Sequence, residues 1–255
     1  MLKQIINQVL GTFDLRLSRV SKGSPIDAYS PQQELLKITD RKCETIFDIG
    51  ANIGTITRRY RKLFPEASIH SFEPFPDSFQ KLKENTKTDS NVVINQFAIT
   101  ESEGEEKFFV NHSDPTNSLF ERPKKGKRYY PENATAKEEI LVQSLSIDKY
   151  VEEQSIPHID ILKMDIQGGE LRALKGAVDM LKRGSISMVY SEVMYIPHYE
   201  GSPMMHEIWS FLSEFDYSLY NIYNNSIAGD GQLRQGDAIF LSPALREKFD
   251  SIQSD

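Results

Sequence analysis

The pattern of apolar and polar positions changes character near residue 44. Before it, Leu2, Ile5, Ile6, Val9 and Leu10 recur at helical spacing, and Gly11 follows as a stop signal. That spacing predicts a short N-terminal helix. Residues 13 to 30 carry Ser, Gly and Pro and predict an irregular lead-in, with a further helix over Gln33 to Ile38. From residue 44 onward, short β-rich runs alternate with longer amphipathic stretches. The alternation predicts strands over Thr45–Ile49, Ser68–Phe72, Val92–Ala98, Ile159–Met164 and Ser187–Ser191. Between them it predicts helices over Thr55–Leu63, Asp77–Asn85 with Asp77 as N-cap, Leu145–Val151, Glu170–Leu181 and Met204–Phe215. Leu171, Leu174, Val178 and Leu181 share one face of the fourth of these. Tyr217–Tyr223 and Ala238–Leu241 read as the last two strands, an antiparallel pair at one edge.

Strands separated by helices form parallel sheets with right-handed crossovers, so the expected class is α/β with a doubly wound, mostly parallel sheet. No repeat or interdomain linker interrupts it. The economical division is an N-terminal helical extension, residues 1–43, and one domain, residues 44–255. Residues 100 to 143 break the rhythm. Lys107–Val110 and Ile140–Val142 are expected as extra strands paired with each other. Between them lies a polar loop with the basic run Lys124, Lys125, Lys127 and Arg128, which either is solvated or closes over an anionic substrate.

Composition narrows the class. The 255 residues are 39% hydrophobic, enough for a sizeable core. With 30 Lys and Arg against 37 Asp and Glu, the net charge is −7, so the global field of a nucleic-acid binder is missing. Cys43 is the one cysteine, which excludes an intramolecular disulfide and a Cys-rich zinc site. No apolar run approaches the roughly 20 residues of a membrane span. The first residues lack the continuous apolar core and cleavage site of a secretion signal, so the expected address is the cytoplasm. The Asn-x-Ser/Thr triplets at Asn111, Asn133 and Asn224 then read as chance. The N-terminal helix is expected to pack on the body, the alternative being peripheral contact with a membrane or partner.

The sharpest local feature is Asp48-Ile49-Gly50-Ala51-Asn52-Ile53-Gly54 at the end of the first predicted strand. Glycines permit a tight turn and a close approach of ligand to backbone. The helix that follows offers free N–H groups and a partial positive charge, suited to a carboxylate or phosphate. Glu73 ends the second predicted strand about 20 residues on, where a carboxylate accepts two ribose hydroxyls. A dinucleotide site needs G-x-G-x-x-G, and a P-loop needs Gly-Lys-Ser/Thr; neither is present. Asp48 would repel a pyrophosphate and attract an ammonium. Ammonium, carboxylate and ribose are the groups of S-adenosylmethionine.

These residues, with Phe72-Glu73-Pro74, the run Leu162-Lys163-Met164-Asp165-Ile166-Gln167-Gly168-Gly169-Glu170, Leu174-Lys175-Gly176-Ala177 and Asp237-Ala238-Ile239-Phe240, resemble the motifs of the FkbM family of class I S-adenosylmethionine-dependent methyltransferases. The resemblance covers roughly residues 44 to 242. It implies a Rossmann-like seven-stranded sheet with helices on both faces and an antiparallel last strand. It also implies O-methylation of a small-molecule or glycan acceptor, a sugar or a natural product. Carried over by position, Asp48, Gly50, Asn52 and Gly54 would hold the methionine end, Glu73 the ribose, and Phe75 and Ala98 the adenine. Gln167 stands where many members have Glu, which removes an acid from that position.

Methyl transfer is an in-line displacement in which the protein aligns a nucleophile and assists loss of its proton. Ligands of open parallel sheets lie beyond the carboxyl ends of the strands. Asp165 ends the fourth strand and is the expected catalytic acid as well as a cofactor contact. Glu192, ending the fifth, and His198, on the loop after it, are supporting candidates. A divalent cation on Asp165 and Glu192, magnesium by ligand chemistry, is a further expectation. His70, His112, His158 and His206 show no ligand spacing. Asn117 and Ser118 either contact a substrate hydroxyl or turn the chain. Trp209 is expected in the core, and Tyr195 and Tyr199 as a sugar platform. Two rival functions remain: a nicotinamide-dependent oxidoreductase on the same kind of sheet, and a non-catalytic module that binds S-adenosylmethionine without turnover.

Overall fold

A computed structural model describes residues 28–38, 40, 42–111, 114–123 and 136–253. The helix expected over Leu2–Leu10, the basic run at 124–128, His112 and Asn133 lie outside the described residues. Seven strands form one sheet: β1 (Thr45–Ile49), β2 (Ser68–Phe72), β3 (Val92–Asn95), β7 (Ile159–Met164), β8 (Ile186–Met194), β9 (Ser218–Ile227) and β10 (Leu233–Leu241). Their order is β3-β2-β1-β7-β8-β10-β9. All pairings from β3 to β8 are parallel, and β10 runs antiparallel to both β8 and β9. The chain winds outward from β1 in one direction and then returns to the other side of β1 through β7. The switch point therefore lies between β1 and β7, where a ligand crevice belongs.

The limits of β1, β2 and β7 are those the alternation of β-rich and amphipathic segments predicts, and almost every residue of the three is buried. Alternate residues point to opposite faces. Phe47, Ile49, Leu162 and Met164 pack on one face with helices α4 (Ile147–Gln154), α5 (Glu170–Lys175), α6 (Val178–Lys182) and α7 (Met205–Ser213). Ile46, Ile69 and Ile161 pack on the other with α1 (Tyr29–Ile38), α2 (Thr55–Leu63) and α8 (Pro243–Gln253). Between β2 and β3 the chain forms α3 (Pro76–Thr86). The sequence divides the chain at 43, yet Tyr29, Leu35 and Leu36 of α1 are buried in this second layer, and Gln33 donates to the Leu63 carbonyl.

Several elements differ from expectation for identifiable reasons. The helix predicted over Glu170–Leu181 is broken at Gly176, where a Cβ would stand 2.1 Å from the Thr100 carbonyl oxygen. The strand predicted over Val92–Ala98 is two: β3 stops at Asn95, and β4 (Ala98–Ile99) leaves for a second sheet, ordered β4-β6-β5. In that sheet β5 (Gly104–Val110) pairs antiparallel with β6 (Glu138–Leu145), with Lys107 opposite Leu141, so the expected pairing in the insertion is present and longer. Leu145 belongs to β6, and Ser146 caps α4 through the Lys149 N–H. Asp77 sits in the first turn of α3 rather than at its cap, which is Phe75. Trp209 is 43% exposed, because α7 turns Ile208 and Leu212 inward instead. Arg172 of α5 bonds Glu101 and, with both terminal nitrogens, Glu106, which ties the small sheet to the domain. No helix among the described residues is long and apolar enough to cross a membrane.

Candidate active site

A cleft of about 300 Å³ opens at the carboxyl ends of β1, β2 and β7. Its floor is the turn after β1. Gly50, Asn52 and Gly54 all have positive φ, at 76°, 49° and 82°. The N–H groups of Gly50 and Ala51 both donate to the Phe72 carbonyl at 3.0 Å, which ties this turn to the end of β2. A Cβ on Gly50 would lie 2.0 Å from the Asp165 carbonyl oxygen. Glycine is thus required there by the approach of two strand ends, not by a ligand. A Cβ on Gly54 would meet Leu82 at 2.8 Å. Thr55 and Ile56, in the first turn of α2, line the cleft, and first-turn N–H groups have no intrahelical partner.

Glu73 is 6% exposed and lines the same cleft. Its Oε2 accepts from the Asn52 N–H and its Oε1 from the Phe75 N–H, both at 2.9 Å. A carboxylate has about four lone-pair positions, so each oxygen keeps one to offer. Burial raises its pKa to about 7 against the lowering effect of those two N–H groups. Phe97, Ala98 and Ile99 line the cleft beside it, and Phe108 and Leu119 of the insertion close it from above. Phe75 is buried under this wall, packed with Ala98 and Phe108, and does not line the cleft.

At the opposite end, Asp165 is exposed to the cleft, and Gln167 lines it next door. Gln167 is held in the left-handed region at φ 55°. Its Nε2 donates to Asp165 Oδ1 and to Glu192 Oε2, both at 2.9 Å, and its Oε1 accepts from the Tyr199 hydroxyl at 2.7 Å. The Glu192 Oε1 accepts from Gln235 at 2.8 Å. Glu192 is buried behind Gln167 and does not line the cleft; burial, with Asp165, Glu170 and Asp237 nearby, pushes its pKa well up. The Gln167 amide links it to Asp165. The cation expected on these acids does not fit: the amide nitrogen stands between them, where a bridging ion would sit. Among the described residues no group of three or more His, Cys, Asp or Glu side chains is placed to hold a metal.

The other candidates sort by depth. Glu170 is buried and accepts from the Ile166 N–H at 3.0 Å, closing the turn after β7; burial raises its pKa to about 7. His198 is buried away from the cleft, and burial together with the positive charges of Arg234 and Arg122 lowers its pKa to about 4. His198 does not line the cleft. Tyr199 is buried against Arg122, Tyr195 bonds Asn225, and neither lines the cleft. Ser118 is structural, its Oγ donating to the Gln167 carbonyl at 2.7 Å. Asn117 lines the cleft; its Oδ1 accepts from the Asn111 N–H, and its Nδ2 is buried with no partner among the described residues. Asp48 is 0% exposed and lies beneath the turn, paired with Lys163. Lys163, Phe97 and Gln167 were not singled out by sequence as contacts, although Lys163 and Gln167 lie inside the family motif.

A family model described as the methyltransferase FkbM domain matches residues 48–219. The chain belongs to the FkbM methyltransferase family. This membership, with no dinucleotide turn at β1, sets aside the oxidoreductase alternative. Among relatives, the 2-O-methyltransferase NoeI of Sinorhizobium fredii is 25% identical over 228 residues, 86% of this chain and 91% of that protein. The hexuronic acid methyltransferase AglP of Haloferax volcanii is 25% identical over 166 residues, 64% of this chain and 62% of that protein.

Proposed function

We propose that this FkbM-family protein is an S-adenosylmethionine-dependent O-methyltransferase whose acceptor is a hydroxyl of a sugar or a sugar-like natural product. The observation that carries this assignment is the Glu73 carboxylate, fixed by two backbone N–H groups at one end of a cleft with an exposed carboxylate, Asp165, at the other. The residues fit the cofactor. Glu73 offers two lone pairs to a ribose diol, Phe97 and Ala98 offer apolar surface to an adenine, and the first turn of α2 offers N–H groups to a carboxylate.

When bound, S-adenosylmethionine supplies a methyl group on a sulfonium centre. The chain supplies alignment and proton removal. Asp165 accepts the proton of the acceptor hydroxyl at Oδ2, while Gln167 holds its Oδ1. Methylation at oxygen is supported by the name of the NoeI relative, and a sugar acceptor by that of AglP. A binding module without turnover is less well supported, since it leaves the exposed Asp165 and its braced amide without a task.

Titration calorimetry with S-adenosylhomocysteine across pH tests the cofactor assignment. Ribose hydroxyls donate to the ionised Glu73, whose pKa of about 7 is set by burial. Above pH 7 the carboxylate is ready to accept; below it, a proton must first leave. The expected Kd is about tenfold weaker at pH 6 than at pH 8. Undetectable binding at millimolar ligand, or a Kd independent of pH, contradicts the assignment.

A further inference from the structure

The sequence pairs Asp48 with an ammonium, and the structure supplies one internally. Asp48 and Lys163 are register partners in adjacent parallel strands, so their side chains leave the same face of the sheet side by side. Lys163 Nζ donates to the Ile49 carbonyl at 3.2 Å and the Gly50 carbonyl at 3.1 Å, and stands 2.8 Å from Asp48 Oδ1 as an ion pair. Asp48 Oδ2 accepts from the Thr57 hydroxyl at 2.7 Å, which also lies 3.0 Å from Ser71 Oγ. Burial disfavours the Lys163 charge, but Asp48 and Asp165 outweigh it and hold the ammonium above its ordinary range.

Buried ion pairs are often replaceable by apolar side chains without loss of stability, so stability alone does not account for this one. Its placement does. Both Lys163 hydrogen bonds go to the carbonyls at which β1 turns into the cleft, and Lys163 itself lines that cleft. We propose that Lys163 is a positioning residue: its ammonium takes the place on Asp48 that the ammonium of a bound amino-acid tail would otherwise take, and it fixes the turn on which that tail rests. The proposal rests on the cofactor assignment above. Asp48 then balances the Lys163 charge and does not touch the ligand.

The test compares S-adenosylhomocysteine with 5′-methylthioadenosine, which lacks the amino-acid tail, by titration against wild type, Lys163→Met and Asp48→Asn. In Lys163→Met, S-adenosylhomocysteine binding is expected to weaken about tenfold or more, and 5′-methylthioadenosine to stay within about threefold. In Asp48→Asn, where Lys163 keeps both carbonyl bonds, S-adenosylhomocysteine stays within about threefold. A direct contact between Asp48 and the ligand makes the opposite demands: freeing Asp48 by Lys163→Met tightens binding, and Asp48→Asn abolishes it. Either result overturns the proposal, as does equal loss of both ligands in Lys163→Met. Should Lys163→Met prove too unstable to titrate, the Asp48→Asn/Lys163→Met pair, free of both buried charges, is expected to show the Lys163→Met pattern; full affinity for S-adenosylhomocysteine in that pair overturns the proposal. Failure of wild type to bind either ligand overturns the cofactor assignment and this proposal with it, whereas binding of both with the wrong variant pattern overturns the proposal alone.

Discussion

Glu73→Ala weakens S-adenosylhomocysteine binding by about 100-fold or more at pH 8, because two hydrogen bonds to an ionised acceptor are lost at about 1.5–3 kcal/mol each. The loss is compounded locally. The N–H groups of Asn52 and Phe75 both donate to this carboxylate, so its removal leaves both without that acceptor, while Gly50 and Ala51 still tie the turn to the Phe72 carbonyl. Glu73→Gln separates the two effects. It keeps the shape and one acceptor oxygen, and it cannot ionise. Its Kd is expected to be about tenfold weaker than wild type at pH 8 and flat from pH 6 to pH 8. Calorimetry on the three proteins reads both quantities. An alanine variant within about threefold of wild type, or a glutamine variant that keeps the wild-type pH dependence, removes Glu73 from the cofactor site.

Asp165→Asn is the second large effect, and it falls on turnover. The isosteric amide still presents an oxygen to Gln167 Nε2, so the cluster of Gln167, Glu192 and Gln235 is expected to persist. What is lost is a charged acceptor for the hydroxyl proton, a contribution of about 100- to 10,000-fold for a positioned base. Labelled methyl transferred to whichever glycoside the wild type methylates should fall by that factor, with the S-adenosylhomocysteine Kd held within about threefold. A variant that loses cofactor affinity and turnover together assigns Asp165 to cofactor binding instead.

The frame of the fold is legible in the chain because it depends on local pattern. Thr45–Ile49, Ser68–Phe72 and Ile159–Met164 are short β-rich segments bounded by turn residues and amphipathic stretches, and their limits follow from that local pattern. What stays hidden depends on partners distant in sequence. Gly176, where the predicted helix breaks, has no room for a Cβ because the Thr100 carbonyl approaches it, and nothing near Gly176 announces Thr100. Asp48 carries the right charge for an ammonium, yet that its neighbour is Lys163 requires the strand order as well as the side-chain parity. The sequence places Glu192 and His198 near the correct sheet edge, but depth separates them: one stands behind Gln167, and the other is buried among positive charges. The amide at Gln167, read as a missing acid, proves to be the link that holds Asp165 and Glu192 together.

The most direct measurement is a crystal structure of the protein with S-adenosylhomocysteine. The predicted density spans the ends of β1, β2 and β7, with both ribose hydroxyls on Glu73, the adenine against Phe97 and Ala98, and the sulfur nearest Asp165. A complex in which Glu73 keeps only its two backbone partners while the nucleoside lies elsewhere would contradict the account.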